Sequence, residues 1–167
     1  MKKILAIGIS SGIIAVLWTA GSVTLGLSTV AGFLAWSSFF AAGGSRKGIK
    51  KALIANLSGI CWGVVTFQLS KMLAFKLGDV GSMTIFNGLG SAGIILQSKI
   101  TLLSFIPASF IGWSAFIASG MNFKITAISM IIGSFAGYAS EKLTDIILNI
   151  FTTERIDENV EVDTQLD

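Results

Sequence analysis

Six long apolar stretches, separated by short charged or Gly/Ser-rich interruptions, run along this chain: Ile4 to Ser22, Leu25 to Gly44, Ala52 to Leu73, Val80 to Ser98, Ile100 to Ser119 and Ile125 to Ser140. A hydrocarbon layer about 30 Å thick takes roughly 20 residues of α-helix, so each stretch predicts a membrane span. The fold class is therefore all-α and polytopic, with about six transmembrane helices. The opening Met1-Lys2-Lys3 also suits a secretory signal peptide cleaved near Ala20. A second apolar stretch follows at once, and the repeat below needs the first as a partner, so the first reads as a span. Past the sixth stretch, Leu143, Ile146, Ile147 and Ile150 recur at helical spacing opposite Glu141, Asp145 and Asn149, an amphipathic extension at the cytoplasmic interface.

The apolar pattern repeats. Ala31-Gly-Phe-Leu-Ala-Trp-Ser-Ser-Phe-Phe-Ala-Ala-Gly43 overlies Ala108-Ser-Phe-Ile-Gly-Trp-Ser-Ala-Phe-Ile-Ala-Ser-Gly120 with seven of thirteen positions identical at an offset of 77. The Trp36/Trp113 pair and the Phe33/Phe110 pair are among the identities, and Ser10 falls opposite Asn87 at the same offset. With a slightly shorter loop in the second half, Gly59 and Gly63 overlie Gly133 and Gly137, and Lys50 overlies Lys124. Small residues four apart by themselves indicate only close helix packing, but their recurrence in register points to duplication. Each half holds three spans, an odd number, so the halves enter the membrane in opposite directions and predict an inverted 3+3 repeat. The membrane domain is read as 1–151, with repeat one about 4–75 and repeat two about 80–151, followed by a disordered, acidic cytoplasmic tail over 152–167.

Composition narrows the function classes. Of 167 residues, 53 per cent are hydrophobic and 13 per cent charged, too few charges to clothe a soluble domain. The formal net charge of +3 hides a division: residues 1–153 carry 11 basic and three acidic groups, whereas 154–167 carry six acidic groups and one Arg. With the amino terminus inside, nine Lys and Arg face the cytoplasm and three, Lys71, Lys76 and Lys124, face out. Both termini are expected on the cytoplasmic side. Arg46, Lys47, Lys50 and Lys51 share one loop, expected to rest on the anionic headgroups of the inner leaflet and not on nucleic acid.

The chain has no His and a single Cys, which removes His-based acid/base chemistry, a Cys/His zinc site and an intrachain disulfide. No Gly-rich phosphate loop is present, so no enzyme, cofactor or metal role is expected. The middle of each span lacks charge, which argues against a proton relay or voltage sensor. What remains is neutral polarity and aromatic rings. Phe33, Trp36 and Ser37, with Ser109, Phe110, Trp113 and Ser114 in the second copy and Asn87 in the fourth span, are the candidate pore or solute contacts, the Phe and Trp at i and i+3 forming a narrow slot where the two halves meet. The plainer account of such rings and hydroxyls is helix packing. Pro107, the only Pro, should kink or break the fifth span between Leu103 and Pro107, whereas its repeat partner Val30 imposes no break.

Ala31-Gly-Phe-Leu-Ala in the second span and Leu103-Ser-Phe-Ile-Pro-Ala-Ser-Phe-Ile-Gly112 in the fifth resemble the YcdZ-type small inner-membrane proteins of bacteria, over roughly residues 4–140. The resemblance implies location and fold and transfers no functional residue. Urea channels are similar in architecture, as a fold-level analogy. The expected function is an oligomeric inner-membrane channel or facilitator for a small polar, uncharged or weakly charged solute. The competing reading is a non-transporting scaffold that recruits partners through the basic loop and the acidic tail.

Overall fold

The computed structural model describes residues 2–164, and side chains from Lys2 to Phe151. Among them are five helices and no strand: α1 Lys2–Thr24, α2 Thr29–Ala41, α3 Ser45–Gln97, α4 Ile106–Ala118 and α5 Phe123–Thr164, with a 3-10 turn at Thr101–Leu103 before α4. Three of these, Lys2–Thr24, Ser45–Gln97 and the Phe123–Phe151 part of α5, are long and apolar enough to cross a membrane. The amphipathic extension expected after Ser140 continues α5. The backbone of the acidic tail expected over 152–167 continues α5 as far as Thr164, and its side chains lie outside those described.

A straight helix as long as α3 would reach about 80 Å, far beyond a bilayer. It does not run straight. Gly78 has φ 72 and ψ 160, a backbone region essentially closed to residues with a Cβ, and the chain reverses there. Across the reversal Ser70 Oγ donates to Ser82 Oγ (3.2 Å), while Ser58 Oγ and Trp62 Nε1 donate to Gln97 Oε1 (2.6 and 2.8 Å). Bonds between residues so far apart in sequence require two antiparallel arms, 45–77 and 79–97. The sequence places the third and fourth spans there, and Gly78 is the hinge between them.

The second and fifth spans differ from expectation. Both are helices of 13 residues, about 20 Å long, in place of spans of roughly 20 residues. Gly26, at φ 63, and the Ser28 cap, which accepts from Ala31 N, hold off the start of α2. The fifth span is broken where expected, between Leu103 and Ile106, but Pro107 kinks no continuous helix. It sits in the first turn of α4, where a missing N–H costs nothing, and Val30 holds the same place in α2. The ends also recur at the offset of 77. Ala42 N, Gly43 N and Gly44 N donate to Ser38, Phe40 and Phe39 carbonyls; Ser119 N, Gly120 N and Met121 N donate to Ala115, Ile117 and Phe116 carbonyls.

Packing depends on glycine. A Cβ on Gly59 would strike the Ser109 carbonyl of α4, and one on Gly133 the Gly32 carbonyl of α2. Gly63 lies 2.8 Å, at its virtual Cβ, from Trp113 and Phe116, as Gly137 lies 2.9 and 2.8 Å from Trp36 and Phe39. Each short helix thus packs on the long helix of the other half: α4 runs along the first arm of α3, and α2 runs along α5. Since α2 also turns back against the first arm, with Ser38 bonded to Asn56, α2 and α4 are antiparallel. At one end of that pair Ser119 Oγ donates to Ser28 Oγ (2.8 Å). The buried core lies among these four helices, around Ala31, Ala35, Ile60, Ala115, Phe116 and Met130. On the flanks, α1 lies antiparallel to α5, tied by Ser10 to Thr144 and by Lys2 to the Phe151 carbonyl.

Candidate functional site

The expected contact residues divide among three places. Phe33 stacks on Trp36, with centroids 5.9 Å apart and planes at 16°, and both line a cavity of about 270 Å³ with Ser11, Ala15, Ser37 and Phe40. Trp113 and Asn87 line a second cavity, of about 210 Å³, with Thr66, Ser70, Met83 and Ile117 among its walls. These two cavities stand on different helices: the first between α1 and α2, the second between the arms of α3 and α4. Each has at its inner wall a Trp only 7% exposed, held against the glycines described above.

Ser109 belongs elsewhere. It is fully buried, and its Oγ accepts from Gln97 Nε2 (3.0 Å). Because Gln97 Oε1 also accepts from Ser58 and Trp62, one amide joins both arms of α3 to α4. Pro107 and Ser114 are exposed and Phe110 is partly exposed; none of the three lines either cavity. Gln97, Trp62 and Ser70 were not among the residues singled out from sequence. Gln97 stands two residues from Lys99, where a polar side chain reads as an interface group, and only the hairpin reveals its three partners.

A further polar group is enclosed at the centre. Asn56 is fully buried, its Oδ1 accepts from Ser38 Oγ (3.0 Å), and its Nδ2 has no partner among the described residues. The repeat-related positions, Ala115 and Met130, are apolar and equally buried, so the centre of the molecule is polar on one side only.

The basic cluster stands in the first turns of α3. Arg46, Lys47, Lys50 and Lys51 are all exposed, and Lys51 Nζ lies 4.7 Å above the Phe105 ring. Beside them Glu141 of α5 accepts from Ser45 N (2.8 Å), placing a carboxylate on the positive end of the α3 dipole. A third cavity, of about 390 Å³, lies at this end between Lys3, Ile7, Phe40, Glu141, Thr144 and Leu148.

Comparison with known proteins adds a family without a chemistry. The family described as "Protein of unknown function (DUF1097)" matches residues 8–145. The uncharacterized protein YahC of Escherichia coli K12 is 36% identical, over 84% of this chain and 90% of its own length. The inner membrane proteins YcdZ of Salmonella typhimurium and of E. coli K12 are each 35% identical over 83% of this chain, and over 86% and 84% of their own lengths. No solved structure matches.

Proposed function

Because this chain belongs to the DUF1097 family and is similar to proteins named for the inner membrane, we infer that it is an inner-membrane channel or facilitator for a small polar solute of little or no charge. In this reading the chain crosses the bilayer six times: α1, the two arms of α3 and α5 as full spans, and α2 and α4 as half-length helices completed by the segments 25–28 and 98–105. Corresponding elements then run in opposite directions, the relation expected of an inverted repeat. Both termini are cytoplasmic, as the Lys and Arg distribution favours.

The observation that carries the reading is the pair of Trp-walled cavities on repeat-related helices. Trp113 meets one and Trp36 the other, and no Lys, Arg, Asp or Glu lines either. A passage without ionisable groups suits a neutral solute, because a charged one would lose its hydration with nothing to replace it. In this reading the irregular backbone at 25–28 and 98–105 lies at membrane depth, where such backbone is tolerated inside protein or beside a water-filled path. The protein works as an oligomer in a bilayer with an anionic inner leaflet, whose headgroups meet the basic turns of α3.

Stopped-flow swelling of proteoliposomes with a panel of small neutral solutes tests this. At least one solute should enter faster than in protein-free vesicles, and Trp36→Ala or Trp113→Ala should change that rate. Equal rates for every solute, with both variants folded and silent, would overturn the reading.

A further inference from the structure

The two halves differ at the position of Ser10 and Asn87, although each has a cavity beside it. Ser10 of α1 and Thr144 of α5 are joined by a hydrogen bond of 2.6 Å, and Ser10 and its neighbour Ala6 are fully buried. Their repeat-related positions in the other half are Asn87, Ser70 and Met83. There the contact is open: Met83 is 55% exposed, Ser70 has turned to Ser82, and a cavity of about 210 Å³ separates the walls that Ser10 and Thr144 bring together. The Asn87 side chain makes no hydrogen bond among the described residues, although its backbone carbonyl accepts from Ser91.

Asn87 is exposed on its arm; in the six-span reading that exposure is to the cavity and the bilayer, where an amide with two donors and an acceptor is costly to leave unpaired. Asn87 stands eight residues from Asp79 and twelve from Lys99, so it is far from either charged end of its arm. Its neighbours on the cavity wall are Thr66 and Ser70, whose hydroxyl hydrogens are already donated within the protein and whose oxygens can only accept, and the rings and thioethers of Phe67, Trp113 and Met83. The wall is thus apolar with one free amide. As a guide to size, an apolar cavity of about 150 Å³ takes a benzene ring.

We propose that this cavity binds a small neutral molecule with an apolar body, up to about one substituted ring, and a single hydroxyl or amide end that pairs with Asn87. The inference deepens the solute-passage reading by naming the solute class; in the other half Ser10 and Thr144 meet directly, and the cavity beside them carries the ionisable groups Lys3 and Glu141. A polyol is disfavoured because Asn87 is the one side chain on the wall with donors still free, and the rest of the lining is mostly apolar. An anion is disfavoured because no cation lines the wall.

Fluorescence titration of the full chain in nanodiscs tests the site, with benzyl alcohol and benzamide as probes and benzoate and glycerol as comparators. Trp113 stands at the site, so binding should change emission in the wild type and this change should be lost in Trp113→Phe. Asn87→Leu should weaken benzamide roughly tenfold, the loss of about one well-made hydrogen bond. Ile117→Trp, a change at an exposed rim residue that fills the cavity, should abolish binding while the protein stays folded. Equal affinity for benzoate, or benzamide binding unchanged in both Asn87→Leu and Ile117→Trp, would overturn the proposal. Binding without flux in proteoliposomes would leave the site standing and remove the passage. Flux of some solute that Asn87→Leu and Ile117→Trp leave untouched would do the reverse.

Discussion

Glycine carries much of the specificity of this core. Gly59 and Gly133 let a short helix approach a long one until backbone touches backbone, and a single methyl group at either has nowhere to go. Gly59→Ala and Gly133→Ala should each destabilise the protein by about 1–3 kcal/mol, the usual cost of overpacking. Gly8→Ala and Gly12→Ala in α1, where nothing lies within 4 Å, should be within about 0.5 kcal/mol of wild type. Thermal unfolding in detergent separates the two classes. In sequence all four belong to similar small-residue patterns, so spacing alone could not tell a contact glycine from a lipid-facing one. The register of the repeat could: Gly59 and Gly63 overlie Gly133 and Gly137, whereas the partners of Gly8 and Gly12 at the offset of 77 are Ile85 and Leu89.

At the level of the element, the reversal in α3 rests on two features. Gly78 provides the turn, and since its ψ of 160 lies outside the left-handed helical well, Gly78→Asn should cost as much as Gly78→Ala, about 1–3 kcal/mol, by the same melting measurement. A rescue by Asn would show that the turn has a different backbone. Gln97 then clamps the two arms to α4 through three hydrogen bonds. Gln97→Leu strands the Ser58, Trp62 and Ser109 groups and should cost about 1–3 kcal/mol, with the second arm becoming easier to cleave by protease. The apolar runs of α1 and of the two α3 arms were legible in sequence. The shortness of α2 and α4 was not, because Leu25, Leu27, Leu102 and Leu103 are as apolar as the helices they precede, and only the Ser28 cap and Pro107 in the first turn decide where the helices begin.

Taken as a whole molecule, the arrangement makes a topological prediction. If the chain crosses six times with both termini inside, a Cys placed at Lys47 and one placed at Lys142 should react with an impermeant maleimide only from the cytoplasmic face, and one at Lys76 only from the outer face, in a Cys61→Ser background. Labelling of Lys47→Cys and Lys76→Cys from the same face would refute the six-span reading. Removing residues 152–167 tests the competing role as a scaffold: a passage keeps its flux without them, whereas a recruiting tail loses its phenotype. By itself the sequence determined that this is a helical membrane protein with inner-membrane relatives and that 31–43 and 108–120 agree at seven of thirteen positions, since hydropathy and repeated residues are properties of the chain alone. Only the tertiary structure decided that the short helices exchange partners between halves, that Gln97 is a clamp, and that Asn87 faces an open cavity while Ser10 is closed on Thr144. Those outcomes depend on which faces meet across a hundred residues, and an apolar helix in an apolar solvent carries little in its own pattern to say which face that will be.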